Sequence, residues 1–168
     1  METHVAFISV GSNLGDPLEN CRRAVERLAA EEGIRVTGRS RIYRTKPVGY
    51  AAQAWFVNQV VRAATELEPE ALLDRLQALE QELGKTAPPV RYGPRVIDLD
   101  ILLFDRRVSA GPRLVLPHPR MHTRRFVLKP LCDIDPDIVH PVLGHDMRSL
   151  LAELGPGGQE VVEYPCCD

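Results

Sequence analysis

Two aspartates stand inside an apolar run that otherwise predicts a buried strand. The stretch RYGPRVIDLDILLF contains Asp98 and Asp100, two residues apart. Because side chains alternate between the two faces of a strand, both carboxylates point to one face, while Ile97, Leu99 and Ile101 fill the other. Two ionised carboxylates this close repel each other, and a divalent cation removes that penalty. The pattern therefore predicts a Mg²⁺ site that leaves coordination positions for water and substrate phosphates.

The arginines around these aspartates allow two interpretations. From Arg91 to Arg125 there are eight arginines against three aspartates, a local charge of +5 on a protein with a net charge of −2. In the simpler interpretation, Asp98 and Asp100 are surface residues paired with these arginines. Guanidinium groups also form forked hydrogen bonds with phosphate oxygens. The apolar setting of the aspartates favours a metal site next to a basic site for a small anion, equipment suited to phosphoryl-type transfer.

Size and composition restrict the classes of protein. A length of 168 residues predicts a single domain over 1–168, with a last few residues that fray. A net charge of −2 disfavours a general nucleic-acid binder, and no apolar run approaches the roughly 20 residues of a membrane span. The first residues, METHVAFISV, lack the pattern of a secretory signal, so we expect a cytoplasmic protein. The four cysteines, Cys21, Cys132, Cys166 and Cys167, are expected to be reduced thiols.

Apolar periodicity predicts the elements that must position these residues. Their order, β-α-β-β-α-β with later strands, indicates an α+β fold with a mainly antiparallel sheet. A parallel α/β sheet is the alternative, and the hairpin-like pattern of Ile34–Thr65 disfavours it. The glycine-rich GSNLGD is interpreted as a tight turn. We expect strands at Val5–Val10, Ile34–Tyr43, Phe56–Thr65, Val96–Phe104, Leu114–Leu116, Phe126–Leu131 and Glu160–Tyr164, and helices from an Asp16 cap to Gly33, over Pro69–Leu83 and over Met147–Leu154.

Four motifs resemble those of one enzyme family. In chain order they are YRTKPVGY, FVNQVV, RYGPRVIDLDILLF and LPHPRMHTRRFVLKPL, and the similarity runs from about Val5 to about Gly144. They resemble the 6-hydroxymethyl-7,8-dihydropterin pyrophosphokinases of folate synthesis. The resemblance implies a ferredoxin-like core and Mg²⁺-dependent transfer of pyrophosphate from ATP to the pterin hydroxymethyl group, with release of AMP. It also implies that the partners are these two small molecules, without nucleic acid or membrane, and that the protein is a monomer.

The resemblance also implies roles for individual residues. Asp98 and Asp100 would hold two Mg²⁺ ions that bridge the ATP phosphates and the attacking hydroxyl, and no general base is assigned. Arg91 and Arg95 would neutralise developing charge. The pterin would lie between two aromatic rings and meet polar groups, at Thr45, Val48, Phe56, Asn58, Tyr92 and Phe126. The nucleotide would contact Leu73, Gln77, Glu80, Ile101, Arg113, His118 and Arg124.

The chain departs from the family pattern after the second predicted helix. Relatives usually carry a glycine, an arginine, a variable residue and another arginine, whereas Gly84 is followed here by Lys85, Thr86 and Ala87. Tyr92 stands where the family often has tryptophan. Lysine lacks the forked geometry of arginine. We therefore expect the change to affect turnover and ATP affinity, with the reaction type unchanged.

Two other functions remain as alternatives. A Mg²⁺-dependent nucleotidyltransferase on the same sheet would use the carboxylate pair but release pyrophosphate in place of AMP. A non-catalytic ligand-sensing module of ferredoxin-like shape would not consume ATP. Paired aspartates facing a basic cleft favour the enzymes over the sensing module.

Overall fold

The computed structural model of the protein describes residues 2–46, 54–84 and 96–165. Within these ranges the chain forms β-strands, α-helices and one 3₁₀ turn, Met121–Thr123. The strands are β1 His4–Ser12, β2 Ile34–Arg39, β3 Tyr43–Thr45, β4 Phe56–Thr65, β5 Asp98–Phe104, β6 Ser109–Ala110, β7 Val115–Leu116 and β8 Val161–Glu163. The helices are α1 Pro17–Ala30, α2 Pro69–Glu82, α3 Arg125–Ile134 and α4 Met147–Glu153.

The main sheet is antiparallel and has β1 near its centre. Its strand order is β5-β1-β4-β3-β8, and β2 also pairs with β4. A separate hairpin joins β6 and β7. Two β-α-β connections placed around a central β1 are the ferredoxin-like arrangement. The α+β prediction is therefore confirmed, and the parallel-sheet alternative is wrong.

Local signals in the sequence explain where the first two helices begin. The Asp16 carboxylate accepts a hydrogen bond from the Glu19 backbone N–H at 3.2 Å, and Pro17 occupies the first turn, as an N-cap pattern predicts. Gly33, after α1, has a φ of 83°, a left-handed conformation that suits glycine. Pro69 likewise opens α2, although no side chain caps that helix.

The sheet separates two apolar clusters. Helices α1 and α2 pack on one face, where Ile8 and Leu76 belong to the larger cluster. Helices α3 and α4 pack on the other face, in a smaller cluster that includes Val60 and Leu128. The smaller cluster covers only part of its face, because the residues of β4 and β5 nearest the Phe56 and Asp98 ends are polar. That uncovered part is where the site residues lie.

The segment Phe126–Leu131 was predicted as a strand, and this prediction is wrong, because it lies in α3. Two helix signals are weak here. Arg124, at the N-cap, makes no capping hydrogen bond through its side chain, and Pro130 stands inside the helix. Burial of Val127, Leu128 and Leu131 against the sheet stabilises the helix despite these local features.

Other boundaries shift by a few residues. The predicted strand Ile34–Tyr43 is divided into β2 and β3, with a register irregularity between Val36 and Gly38. The strand predicted from Val96 begins at Asp98. Cys21 is buried and Cys132 half-buried, and both are free thiols, whereas Cys166 and Cys167 lie outside the described residues. Along the described ranges, no helix has the length and apolar character needed to cross a bilayer.

Candidate active site

One of the two predicted metal ligands, Asp98, lies in a row of residues that crosses the sheet. Gly11 on β1 pairs with Asp98 on one side and with Asn58 on the other, and Asn58 pairs with Tyr43 of β3. Paired residues of antiparallel strands point to the same face, so these side chains share the face that carries α3. Adjacent strands are about 4.8 Å apart, which separates the Asn58 and Asp98 backbones by about 10 Å. Asp100 lies two residues further along β5 on the same face.

The two aspartates have the alternation expected of a strand. Asp98 is half-buried and Asp100 exposed, whereas Ile97, Leu99 and Ile101 are at most 3% exposed. Within the described residues, no group of three or more His, Cys, Asp or Glu side chains could hold a metal ion. A pair of carboxylates does fit Mg²⁺, which proteins bind through one or two carboxylates together with substrate phosphates and water. The donor set is therefore suited to a cation that arrives with a polyphosphate.

Two buried polar atoms mark a second part of this face. Thr45 pairs with Phe56 across β3 and β4, one step from the Tyr43–Asn58 pair. Thr45 is 1% exposed and Asn58 is 8% exposed. Thr45 Oγ1 and Asn58 Oδ1 are buried yet have no hydrogen-bond partner among the described residues. Buried polar atoms are normally satisfied, because leaving one unpaired costs about 1–3 kcal/mol. The two atoms therefore point to a polar ligand on this face.

Phe126 is held at the same end of the sheet as this polar pair. Near the end of α3, the Asp133 carboxylate accepts a hydrogen bond from the Tyr43 hydroxyl at 2.6 Å. At the start of α3, the Arg125 guanidinium donates a hydrogen bond to the Gln159 carbonyl at 3.3 Å. The Gln159 side-chain amide in turn donates a hydrogen bond to the carbonyl of Lys46, the residue after β3. The helix thus runs beside β3 with its first turn at the Thr45 end. Phe126, in the first turn of α3, and Phe56, the strand partner of Thr45, are both half-buried.

The end of β1 and the turn after it support this part of the site, although the sequence suggested only a tight turn at GSNLGD. A Cβ atom at Gly11 would come within 3.0 Å of Asn58 Nδ2, so a side chain there would push against the Asn58 amide. The Asn13 side chain donates a hydrogen bond to the Ala54 carbonyl at 3.1 Å, two residues before Phe56. A glycine inside a strand often marks such a close approach, and this signal could have identified Gly11.

The outer edge of β5 carries the next group of predicted residues. Glu80 of α2 is buried, and its carboxylate accepts the Leu99 backbone N–H at 3.0 Å. Backbone groups two residues apart along a strand point to the same edge, so Ile101 presents its backbone to this edge too. The Ile101 side chain is 3% exposed and belongs to the core. A ligand along β5 would therefore meet Ile101 through its backbone.

Helix α2 borders the same edge. Leu73, Gln77 and Glu80 follow one another at spacings of four and three residues, so they share one side of the helix. Leu73 is half-buried against the larger cluster and Gln77 is exposed. Arg113 reaches this helix from the loop before β7, where its guanidinium pairs with the Asp74 carboxylate at 2.5 Å. Five of the predicted nucleotide residues thus lie together along α2 and the β5 edge, namely Leu73, Gln77, Glu80, Ile101 and Arg113.

His118 and Arg124 lie between the β5 edge and the start of α3. The His118 backbone N–H bonds the Leu102 carbonyl at 2.9 Å, which ties this loop to β5. Burial, with help from the positive charges of Arg124 and Arg120, lowers the pKa of His118 to about 4. Its Nδ1 accepts the Arg120 N–H at 3.2 Å, so at neutral pH the remaining proton resides on Nε2. His118 is therefore a neutral hydrogen-bond donor at neutral pH. The Arg124 guanidinium lies 5.5 Å from the centre of the Phe126 ring.

Four of the predicted site residues lie outside the described residues. They are Val48, Tyr92 and the two arginines predicted to neutralise charge, Arg91 and Arg95. The departure from the family pattern at Lys85 to Ala87 also lies there. The other predicted residues form two adjoining groups, a polar and aromatic group on the α3 face and a second group along α2 and the β5 edge.

Solved structures share the fold. The chain superposes on Plasmodium falciparum HPPK-DHPS with a TM-score of 0.70, at 15% identity, covering 90% of this chain and 42% of that one. A second HPPK-DHPS structure, described as a complex with substrates, gives a TM-score of 0.73 at 14% identity and 43% coverage of that chain. At such identities the likeness establishes the fold alone, and this chain spans less than half of those longer proteins.

Curated relatives are much more similar in sequence. A 2-amino-4-hydroxy-6-hydroxymethyldihydropteridine pyrophosphokinase of Methylorubrum extorquens is 46% identical over 158 residues, covering 94% of this chain and 98% of the relative. The Bacillus subtilis protein of the same name is 48% identical, with 78% of each chain covered. The Pseudomonas aeruginosa protein of that name is 42% identical, covering 87% of this chain and 89% of its own length.

A family model gives the same result over most of the chain. The model described as 7,8-dihydro-6-hydroxymethylpterin-pyrophosphokinase (HPPK) matches residues 7–136, which include most of β1, all of β2 to β7 and all of α3. Every predicted site residue falls within this match. The chain belongs to the 7,8-dihydro-6-hydroxymethylpterin-pyrophosphokinase family, a family of kinase-type transferases.

Proposed function

We propose that this chain transfers the intact diphosphoryl group of ATP to the hydroxymethyl oxygen of 6-hydroxymethyl-7,8-dihydropterin. One observation carries the proposal. Thr45 Oγ1 and Asn58 Oδ1 are buried without partners among the described residues, on the same face as the Asp98 and Asp100 carboxylates. A polar heterocycle bound at the first pair would have its substituent directed along the sheet toward the second. Membership of the family supports the same pair of substrates.

The residues around the unpaired atoms suit a flat, polar ring system. Phe56 and Phe126 approach from the sheet and from α3, and aromatic faces gain from stacking on a planar heterocycle. Thr45 Oγ1 can donate or accept a hydrogen bond, while Asn58 Oδ1 accepts from a ring N–H or amino group. A pterin carries both donors and acceptors on its ring edge. Binding would therefore satisfy the buried atoms that the free protein leaves unpaired.

The nucleotide would lie along α2 and the outer edge of β5. Ile101 would offer backbone hydrogen bonds to the base, and Leu73 an apolar contact. The phosphates would then reach the region of His118 and Arg124, where a neutral imidazole N–H and a guanidinium are both donors. Asp98 and Asp100 would hold Mg²⁺ against the phosphate oxygens, and the metal would supply charge neutralisation and polarisation of the reacting groups.

The chemistry is an in-line displacement at phosphorus. The hydroxymethyl oxygen forms a bond to the β-phosphorus of ATP, while the bond from that phosphorus to the oxygen bridging to the α-phosphorus breaks. The electron pair of that bond leaves with AMP, and the hydroxyl proton passes to solvent. The protein contributes by aligning the two substrates, because phosphoryl transfer depends mainly on positioning and electrostatic stabilisation.

Product analysis tests the proposal. The protein is incubated with ATP, Mg²⁺ and 6-hydroxymethyl-7,8-dihydropterin, and the products are separated by anion-exchange chromatography. We expect equal amounts of AMP and the pterin diphosphate. Free pyrophosphate together with an adenylated pterin would indicate a nucleotidyltransferase and would refute the proposal. Omitting the pterin is the control, in which ATP should remain intact.

A further inference from the structure

The C-terminal segment Gly155–Glu163 lies against the polar side of the pterin site. Its last part, β8, pairs with β3, and Val161 is the partner of Thr45. The Lys46 N–H also bonds the Glu160 carbonyl at 3.0 Å. This segment lies beyond residues 7–136, the part of the chain that the family model matches. The strand that carries Thr45 is therefore supported from outside the matched region.

The side chain of Arg125 binds the C-terminal segment to α3, on the other side of the site. The Arg125 guanidinium donates hydrogen bonds to the carbonyl of Gly155, to that of Gly157 at 2.9 Å and to that of Gln159 at 3.3 Å. The chain makes a tight turn here, since Gly158 has a φ of 95°. Three carbonyls converging on one guanidinium form a defined clamp, because the donors of arginine lie in one rigid plane.

The position of Arg125 in α3 gives this clamp a consequence for the site. Arg125 is the first residue of α3, between Arg124 and Phe126. The far end of the helix has its own attachment, where Asp133 accepts hydrogen bonds from the Tyr43 hydroxyl at 2.6 Å and the Arg41 N–H at 3.1 Å. Loss of the clamp would therefore release the first turn of α3 and leave the last turn attached.

We propose that Arg125 is a positioning residue for the pterin, because it binds the C-terminal segment behind Thr45 to the helix turn that carries Phe126. The inference rests on the proposed function, since it assigns both walls to the pterin. Arg125 touches neither substrate. It sets the distance between β3, which carries Thr45, and the first turn of α3, which carries Phe126. The binding of a flat ring between these two elements is sensitive to that distance.

Steady-state kinetics of Arg125→Gln, Arg125→Lys and the unmodified protein test this role. In Arg125→Gln we expect the KM for the pterin to rise about tenfold, while the KM for ATP stays within about twofold. Lysine can reach one carbonyl and not three, so the pterin KM of Arg125→Lys should lie between those of Arg125→Gln and the unmodified protein. Five of the residues assigned to ATP lie along α2 and the β5 edge, away from α3, which explains why the two KM values should separate. Arg124, which is also assigned to ATP, is next to Arg125 and accounts for the allowance of about twofold in the ATP KM.

Arg75→Gln is the matched control. Arg75 also bonds a backbone carbonyl, that of Glu32 at 3.2 Å, and the Glu31 carboxylate at 2.9 Å, but it joins α2 to the end of α1. Its loss should lower the thermal midpoint without changing the pterin KM. A second readout is the fluorescence of Trp55, the only tryptophan, next to Phe56. Titration with the pterin, in the presence of an ATP analogue with a non-cleavable α,β bond, should show weaker binding in Arg125→Gln and unchanged binding in Arg75→Gln.

The outcomes separate the two proposals. An unmodified protein that turns over, together with an unchanged pterin KM in Arg125→Gln, would overturn the inference alone. Equal rises in both KM values would also overturn it, because they would indicate general loosening of the fold. An unmodified protein that makes no AMP with the pterin would refute the proposed function and this inference with it.

Discussion

The two faces of the sheet differ along the same strands. On β1, Ala6, Ile8 and Val10 all enter the cluster beneath α1 and α2, so the middle of this face is apolar, with the buried polar residues His4 and Ser12 at its two ends. On the opposite face, Phe7 enters the cluster beneath α3 and α4, whereas Gly11 faces the candidate site. The first face therefore serves mainly folding. The other serves folding over part of its length and ligand binding over the rest.

Strands β4 and β5 show the same division. Val60 and Leu102 are in the cluster beneath α3 and α4, but Asn58 and Asp100, two residues away on the same face, are polar. Asn58 Oδ1 is left buried and unpaired. An unpaired buried polar atom lowers the stability of the free protein. The comparison thus predicts that substitutions on the two faces, or at the two ends of one face, affect activity and stability separately.

The largest expected effect is on turnover, at the carboxylate pair. Asp98→Ala and Asp100→Ala should each lower kcat by about 10³-fold or more, because the metal ligands act directly on the reacting phosphates. Both side chains are partly or fully exposed, so the free energy of unfolding should change by less than about 1 kcal/mol. AMP release and urea denaturation measure the two effects.

Leu76→Ala, on the opposite face, is the contrasting variant. Leu76 is fully buried in the larger cluster, so its truncation should cost about 2–5 kcal/mol of stability. The fraction that remains folded should keep the KM values of the unmodified protein. Near-normal AMP release by either aspartate variant would contradict the assignment of the metal ligands.

A smaller effect is expected at Thr45, where a substitution should weaken pterin binding without lowering stability. Thr45→Val removes a buried hydroxyl that has no partner in the described part of the chain, so stability should be unchanged or higher by up to about 1 kcal/mol. The pterin KM should nevertheless rise about tenfold, which corresponds to one lost hydrogen bond of about 1.4 kcal/mol. Enzyme kinetics and thermal denaturation of the same sample measure both.

Thr65→Val, at the other end of β4, is the matched control. The Thr65 hydroxyl donates to the Gly33 carbonyl at 2.6 Å and accepts the Leu67 N–H at 3.0 Å, so this buried threonine is satisfied. Its replacement should cost about 1–3 kcal/mol of stability and leave the pterin KM unchanged. A stability loss at Thr45 as large as that at Thr65 would show that the Thr45 hydroxyl is bonded within the free protein.

The last expected effect concerns the dependence of stability on pH. Folded His118 has a pKa of about 4, whereas an unfolded histidine has a pKa near 6.5. As the pH falls below 6.5, the unfolded chain therefore gains a proton that folded His118 does not, and the free energy of unfolding decreases down to about pH 4. Burial also lowers the pKa of His140, so His118→Gln should reduce the decrease without abolishing it. Urea denaturation at pH 7 and pH 5 measures the decrease in the free energy of unfolding for the unmodified protein and for His118→Gln. Equal decreases in the two proteins would contradict the role given to His118.

Part of the candidate site could be predicted from strand periodicity. The alternation around Asp98 and Asp100 predicted their shared face, because a strand has a period of two whatever it packs against. The helical spacing of Gln77 and Glu80 predicted a common side of α2 in the same way. By contrast, the strand predicted for Phe126–Leu131 was wrong, since packing against the sheet outweighed Pro130 and the missing cap.

The sequence by itself determined the class of fold, the carboxylate pair and, through four ordered motifs, the family. These features depend on local spacing and residue type, which are present in the linear chain. Only the tertiary structure decided that Thr45 Oγ1 and Asn58 Oδ1 are buried with no partner within residues 2–46, 54–84 and 96–165, that Gly11 lies against Asn58, and that Arg125 binds the C-terminal segment. Each of these contacts joins residues that are distant in the chain, and only the pairing register and helix packing bring them together.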